Sequence, residues 1–321
     1  MTFLAKDEIR RHHQHHGKKK RKVWKYIIAF LLIFFAIDAV VLFKMYDDAK
    51  QAVNTTYKSV KHDSGRDNAK NIKEGKPFSI LLLGTDTGEY GRTYKGRSDT
   101  IMVAVVNPRT ETTTLASIPR DTKVAIPGHG FNNKLNAAYA YDGVSGAMNT
   151  IQSYLNVPID HYIEMNMGGL VQLSSALGDI KVNNDLDFTN LGVHFPKGEV
   201  TIDKDNILAF TRMRYEDPRG DYGRQKRQRE VLAGLVKKIT TVNGVMKYQD
   251  ILSALSSNMK TDITFDQMKT IAEKYRQADK VKQLQLQGDG QMIDGVSYEV
   301  VPQANLDKVS QQLRSALDLT N

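Results

Sequence analysis

The sequence predicts an α/β fold, a single mixed domain with a central β-sheet flanked by helices, preceded by one N-terminal transmembrane helix. Short apolar runs rich in β-branched residues, FSILLLG, TIMVAVVN and TTTLASIP, read as buried neighbouring strands. Segments with helical spacing alternate with further strands through the rest of the chain, which is the pattern of an α/β domain. Near the N-terminus, WKYIIAFLLIFFAIDAVVLF is apolar from Tyr26 to Phe43 except for Asp38.

Residues 1–25 form a basic tail. The apolar run at 26–43 spans roughly 27 Å at ~1.5 Å per helical residue, enough to cross a bilayer. Basic residues crowd its N-terminal side, so the tail is expected in the cytoplasm and everything after Phe43 outside. A cleaved signal peptide competes with this reading. The run is too long for a usual signal core, however, and no A-x-A-like site follows it. Asp38 lies near the outer end, where it could reach the interface or face a partner helix. His12, His13, His15 and His16, beside KKKRK, read as a hydrated tail touching anionic headgroups rather than a metal site.

Residues 44–76 are polar, interrupted by Gly65 and Gly75, and read as an extracytoplasmic stalk that begins helical. The folded domain is expected over 77–321. After its first three strands, LNAAYAYDGVSGAMNTIQSYL has helical spacing, HYIEMN reads as a strand and GGLVQLSSALG as a helix ending on Gly178. The alternation continues through KVNNDL, DNILAFTRM, RQREVLAGLVKKI and DQMKTIAEKYR, and closes with SYEVV and LDKVSQQLRSAL. Cysteine is absent, which excludes a disulfide framework, a thiol nucleophile and a thiolate metal site.

The chain has 45 Lys+Arg against 36 Asp+Glu, a net charge of +9. Nine of the basic residues and two of the acids fall within 1–25, leaving a body with 36 against 34. A near-neutral body argues against a nucleic-acid partner. One local concentration stands out, TRMRYEDPRGDYGRQKRQRE, with Arg212, Arg214, Arg219, Arg224, Arg227 and Arg229. Converging guanidinium forks suit phosphate or pyrophosphate better than one carboxylate. If extended, Arg212 and Arg214 face the same way. If helical, Arg224, Arg227 and Gln228 share one side, and Arg219 and Arg229 look towards solvent.

Two carboxylates stand at strand ends, Asp86 in LLLGTDTG and Asp99 in GRSDTIMVAVV. Hard oxygen ligands without cysteine suit Mg²⁺ or Mn²⁺. Arg97 shares a face with Asp99 if the segment is extended, and Arg120 with Asp121 follows the third strand. Neighbouring strands would bring Asp86, Arg97, Asp99 and Arg120 to one sheet edge. GTDTG lacks the Lys-Ser/Thr of a Walker A loop, and neither a kinase set nor a G-x-S-x-G elbow is present.

The ordered series LLLGTD, RSDT before an apolar strand, SIPRDT, NKLNAAYAY, RMRY and DYGRQKRQREVL resembles the LytR-CpsA-Psr family over nearly everything after residue 77. The resemblance implies that family's α-β-α domain and an extracytoplasmic phosphotransferase. Such enzymes move a glycopolymer, such as wall teichoic acid or capsule, from a polyprenyl-pyrophosphate carrier to peptidoglycan, typically at the 6-hydroxyl of N-acetylmuramic acid. It implies Asp86 and Asp99 as Mg²⁺-associated carboxylates. Arg97, Arg120, Arg212, Arg214, Arg227 and Gln228 become the pyrophosphate-binding set, and Lys134, Asp221 and Arg224 fall on further motif positions. Asp86, Asp99 and Arg120 are the expected catalytic residues. The acceptor hydroxyl needs a base, for which Asp99, Asp121 or a metal-bound species could serve. The sequence departs from the family at Tyr141-Asp142-Gly143, where Gly-Gly is common. Two other functions compete, hydrolysis of the lipid-linked donor with water as acceptor and a non-catalytic envelope regulator.

Overall fold

In the computed structural model, residues 43–85, 98–239 and 248–319 are described. The chain divides into two compact units, Met1–Gln51 and Ala52–Asn321. Of the first, residues 43–51 are described and helical. The predicted membrane segment otherwise lies outside the described residues, among which no helix is long and apolar enough to cross a membrane.

The second unit is built on a six-stranded mixed sheet. Its strands are β1 (Phe78–Thr85), β2 (Ser98–Asn107), β3 (Thr112–Ser117), β6 (His161–Asn166), β11 (Met259–Thr261) and β12 (Lys280–Gln285), ordered β11-β6-β1-β2-β3-β12. β1 runs parallel to β6 and β3 parallel to β12, and the other pairs are antiparallel. Short two-stranded pairs lie outside it: β4 (Lys123–Ala125) with β5 (Asn132–Lys134), β7 (Ile180–Asn184) with β10 (Gly198–Ile202), β8 (Phe188–Asn190) with β9 (Val193–Phe195), and β13 (Asp289–Ile293) with β14 (Val296–Val300). The helices are α1 (Asn68–Lys73), α2 (Leu135–Leu155), α3 (Met167–Leu177), α4 (Ile207–Arg212), α5 (Asp221–Ile239), α6 (Tyr248–Asn258), α7 (Phe265–Lys274) and α8 (Gln303–Ala316).

The continuous apolar runs follow from burial of both sheet faces. Side chains alternate along a strand, so Leu81, Leu83, Val103 and Val105 face one way and pack with Met148 and Ile151 of α2 and Leu313 of α8. Phe78, Ile80, Met102 and Ala104 face the other way, with Ile72 of α1 and Ile263. A separate core joins α3, α4 and α5 to the small hairpins through Leu173, Phe188, Phe195, Phe210 and Leu235. The mixed α/β domain expected from the sequence is present.

The predicted stalk needs correction from residue 58 onward, because that part is folded onto the sheet. Ile72 is buried in the core, His62 Nε2 lies 2.8 Å from the Ile159 carbonyl oxygen, and Arg66 donates to the fully buried carboxylate of Asp160 at 2.5 Å. Asp160 also accepts from the Ser79 backbone at 2.9 Å. Scattered apolar positions concealed this packing, since one buried isoleucine and the polar contacts of His62, Arg66 and Asn68 fasten the segment.

Arg66→Ala leaves that carboxylate buried without its cation, and is expected to destabilise the domain by about 3 kcal/mol or more. Urea unfolding of the purified chain reads the loss, and an unchanged midpoint would detach this segment from the fold.

Candidate active site

Strand direction brings the chemistry to one edge of the sheet. β1, β3, β6 and β12 end there, at Thr85, Ser117, Asn166 and Gln285, and β2 begins there at Ser98. Asp99 is the second residue of β2, beside the irregularity at Gly84/Thr85. Arg120 follows β3, and its guanidinium pairs with the Asp99 carboxylate. Arg120 Nε lies 3.6 Å from Asp121, whose carboxylate also receives Lys134 Nζ at 3.0 Å. The start of α2 fixes this turn, because the amides of Leu135 and Asn136 donate to the carbonyls of Thr122 and Arg120 at 2.9 and 3.0 Å. Those amides have no partner within their own helix.

Helix α5 supplies the opposite wall. Asp221, Arg224 and Gln228 share one face, and Arg224 pairs with Asp221. Burial pushes the Arg224 guanidinium below its usual range, opposed by Asp221 and Asp99 and aided by the nearby charges of Arg120 and Arg214. Arg120 is raised instead, since Asp99 and Asp121 outweigh its burial. Arg120 Nε, Arg224 Nε and Gln228 Oε1 are buried without a hydrogen-bond partner. Guanidinium groups crowded together with unpaired N–H donors suit an oxygen-rich anion, which satisfies both charge and hydrogen bonding.

Below this edge lies an apolar cavity of about 150 Å³. Leu82, Met102, Ile163 and Met165 line it from the sheet, Leu170 from α3 and Val231 from α5. Thr100 and Asn166, at the edge end of their strands, and Thr211 and Gln228 provide its polar lining. Gly84 lets β1 approach β2 closely here, since a Cβ would stand 2.8 Å from that of Thr100. Charge and apolar space therefore meet at Gln228.

Asp99, Arg120, Arg224, Asp221, Lys134, Arg214 and Gln228 fall into this region, whereas Asp86 and Arg97 lie outside the described residues. The pairing of Arg212 with Arg214 on an extended strand is corrected. Arg212 ends α4 beside the cavity residue Thr211, and Arg214 follows in the connection to α5, with its guanidinium 5.9 Å from the Tyr215 ring.

Arg227 also differs from expectation. It is 1 % exposed, donates to Asp217 at 2.7 Å and to the Met213 carbonyl at 2.6 Å, and sits 5.1 Å above the Phe188 ring. Arg227 and Gln228 are consecutive, so about 100° of helix rotation separates them. Gln228 turns to the cavity while Arg227 turns to the arginine loop. Burial alone would raise the Asp217 carboxyl, but hydrogen bonds from Arg219 and Arg227 pull it down to about 2. The site tolerates no side chain at Gly223, whose Cβ would overlap Asp217 Oδ2.

Arg229, expected in solvent, is buried and pinned by Ser117 at 2.6 Å, Gln285 at 2.8 Å and Gln283 at 3.0 Å. Burial lowers its guanidinium to about 10. It ties α5 to β3 and β12. The alternating Gln283 and Gln285 in KVKQLQ, polar on a strand facing a helix, were the available signal. Arg219 remains partly exposed, bonded to Asp217 and Asp185.

No group of three or more His, Cys, Asp or Glu able to hold a metal occurs among the described residues. Asp99 nevertheless offers hard carboxylate oxygens at the open edge, with a side chain 29 % exposed, which fits a magnesium-type cation.

The family model of the LytR_cpsA_psr family matches residues 40–315. A polyisoprenyl-teichoic acid–peptidoglycan teichoic acid transferase TagU from Enterococcus faecalis is 48% identical over 301 residues, covering 94% of this chain and 99% of that protein. A crystal structure of a Streptococcus agalactiae protein superposes with a TM-score of 0.71 at 37% identity, covering 78% of this chain and 91% of that one. The structure of TagT bound to LIIa-WTA has a TM-score of 0.64 at 26% identity, over 82% and 95% of the two chains.

Arg227→Ala removes the buried partner of Asp217 and is expected to lower stability by about 3–5 kcal/mol. Calorimetric melting separates this from a purely ligand-binding role, in which the variant would unfold like the parent.

Proposed function

The chain belongs to the LytR_cpsA_psr family, and on that basis we propose a phosphotransferase. It moves an anionic glycopolymer, wall teichoic acid or a similar polymer, from a polyprenyl-pyrophosphate carrier to peptidoglycan. The product is a phosphodiester at the 6-hydroxyl of N-acetylmuramic acid. One observation carries this reading, the meeting of a guanidinium-rich edge with an apolar cavity at Gln228. A substrate with a pyrophosphate head and a hydrocarbon tail has the same two halves. The naming of the Enterococcus faecalis relative and the ligand of TagT support it.

The acceptor hydroxyl oxygen attacks the sugar-linked phosphorus, the P–O–P bond to the carrier breaks, and polyprenyl phosphate leaves. Arg120, Arg214 and Arg224 neutralise charge on the transferred group and the leaving phosphate, which is where electrostatic stabilisation counts most. Arg97 and Arg212 extend this set. The hydroxyl proton passes to a carboxylate of the edge, Asp99 or Asp121. Asp86 and Asp99 would hold Mg²⁺ or Mn²⁺, which supplies further positive charge at the phosphates. Lys134 holds Asp121, and Asp221 holds Arg224, so both act by orientation.

A cavity of about 150 Å³ takes a benzene-sized guest, so it admits only the head-proximal part of a polyprenyl chain. A longer tail enters when the helices α3 and α5 yield, and Met102, Met165 and Met167 supply an adaptable lining. Residues 26–43 anchor the chain in the cell membrane, with the basic tail inside and the catalytic unit facing peptidoglycan. The apolar run and its basic flank support that topology.

The test is transfer from a polyprenyl-pyrophosphate-linked saccharide to a peptidoglycan oligomer by the full chain with Mg²⁺. Absence of phosphodiester product across teichoic acid and capsule donors would sink the proposal. Carrier release that ignores peptidoglycan would identify a hydrolase. Arg120→Ala and Asp99→Ala are expected to lose about 100-fold in turnover while melting near the parent temperature.

A further inference from the structure

The hairpin that ends on Lys134 also carries an exposed group of aromatic rings. His129 and Phe131 come from the loop between β4 and β5, and Tyr141 comes from α2. The His129 ring stacks on Tyr141 with centroids 4.9 Å apart, and Phe131 meets the two rings edge-on at 5.8 and 5.9 Å. Phe131 is 46 % exposed and Tyr141 44 %. Scattered surface apolar residues are ordinary, but these three are assembled.

Polar contacts hold the rings in place. His129 Nε2 lies 2.7 Å from Asp142 Oδ2, and Asn133 Nδ2 donates to the Tyr141 hydroxyl at 2.9 Å. The loop closes through the Ile126 amide and the Phe131 carbonyl at 3.3 Å. Helix α2 breaks its helical geometry at Gly143, with φ 66° and ψ −147°, a conformation that only glycine adopts freely. The positive φ belongs to Gly143, so the position before it carries a side chain without strain. Asp142 uses that freedom to fix His129.

We propose that His129, Phe131 and Tyr141 form a subsite for one pyranose ring of the acceptor glycan, a reading that rests on the transfer proposed above. A pyranose has apolar C–H faces and a polar rim, so it packs on aromatic rings and hydrogen-bonds around them. Asn133 and Asp142, each bonded to one of the rings, supply such partners beside them. The loop from Ile126 to Phe131 contains no lysine or arginine, and Asp142 is exposed, which disfavours an anionic polymer or an anionic lipid surface.

Position supplies the rest. Phe131 and Lys134 are three residues apart, about 10 Å along an extended strand. Lys134 contacts Asp121 at the guanidinium edge. A glycan strand alternates neutral N-acetylglucosamine with N-acetylmuramic acid, which bears a lactyl carboxylate when its peptide is absent. The neutral sugar suits the rings, and its muramic neighbour then lies toward Arg120, where its hydroxyl must react.

The experiment uses the full chain in detergent and a peptide-free tetrasaccharide of alternating N-acetylglucosamine and N-acetylmuramic acid. Calorimetry measures binding, and a transfer assay measures acceptor KM and kcat. Phe131→Ala and Tyr141→Ala are expected to weaken binding about ten-fold and raise acceptor KM to match, with kcat retained. Phe131→Leu, which keeps bulk without the ring, should behave like Phe131→Ala, and melting curves confirm that each variant is folded. Unchanged affinity and KM in folded variants, or no binding by the parent chain, would overturn the subsite. Binding through these rings without transfer from any donor would overturn the transferase reading and leave the subsite standing.

Discussion

The carboxylate of Asp217 occupies a socket that exists only because residue 223 is glycine, and two arginines close it. Desolvating such an ion pair costs several kcal/mol, which the pairing and its additional hydrogen bonds must offset. The return is positional. Arg227 also grips the Met213 carbonyl, so the loop between α4 and α5 and the first turns of α5 are locked together. The directions of Arg214, Asp221, Arg224 and Gln228 all depend on that lock. Arg229 performs the matching task on the sheet side, holding the same helix to β3 and β12.

The arginines of one short block thus divide into holders and binders. Holders spend donors on protein groups of the scaffold, as Arg227 does on Asp217 and the Met213 carbonyl and Arg229 on Ser117, Gln283 and Gln285. Among the described residues, Arg120 and Arg224 instead meet only the carboxylates of the open edge, Asp99, Asp121 and Asp221. Mutual repulsion among Arg120, Arg214 and Arg224 is tolerated because Asp99, Asp121 and Asp221 moderate it. Preformed charge of this kind is effective in catalysis, since little reorganisation accompanies its use.

Much of this was legible in the chain itself. The strands β1, β2 and β3 follow from apolar runs, because burial on both faces imposes that composition. Asp99 and Arg120 were placed together because adjacent strands carry them to one edge, and the ion pair is there. The sorting of the arginines was less legible. The apolar stripe of α5 begins only at Val231, and its first turns carry charge on every side, so Arg227 and Arg229 were resolved by what packs against them. Their partners Asp217, Phe188, Ser117 and Gln283 lie on other elements. Likewise, the segment from residue 58 to 76 looked like a stalk because its attachment is mostly polar, through His62, Arg66 and Asn68, with Ile72 as its one buried apolar side chain.

The six-stranded sheet has a further consequence, for the order in which the site comes into being. Asp99 and Arg120 meet through the local pairing of β2 with β3, but Asn166 joins their edge only when β6 has paired with the distant β1, and Arg224 only when α5 has packed on the sheet. Closing such loops precedes any favourable contact between them, so non-local pairing governs the pace of folding. The cavity lining runs from Leu82 to Leu232, so the guanidinium edge and the cavity together require that whole stretch of chain. A single cut between β3 and α5 that lets the two pieces separate therefore parts Arg120 from Arg214 and Arg224 and dismantles the anion site.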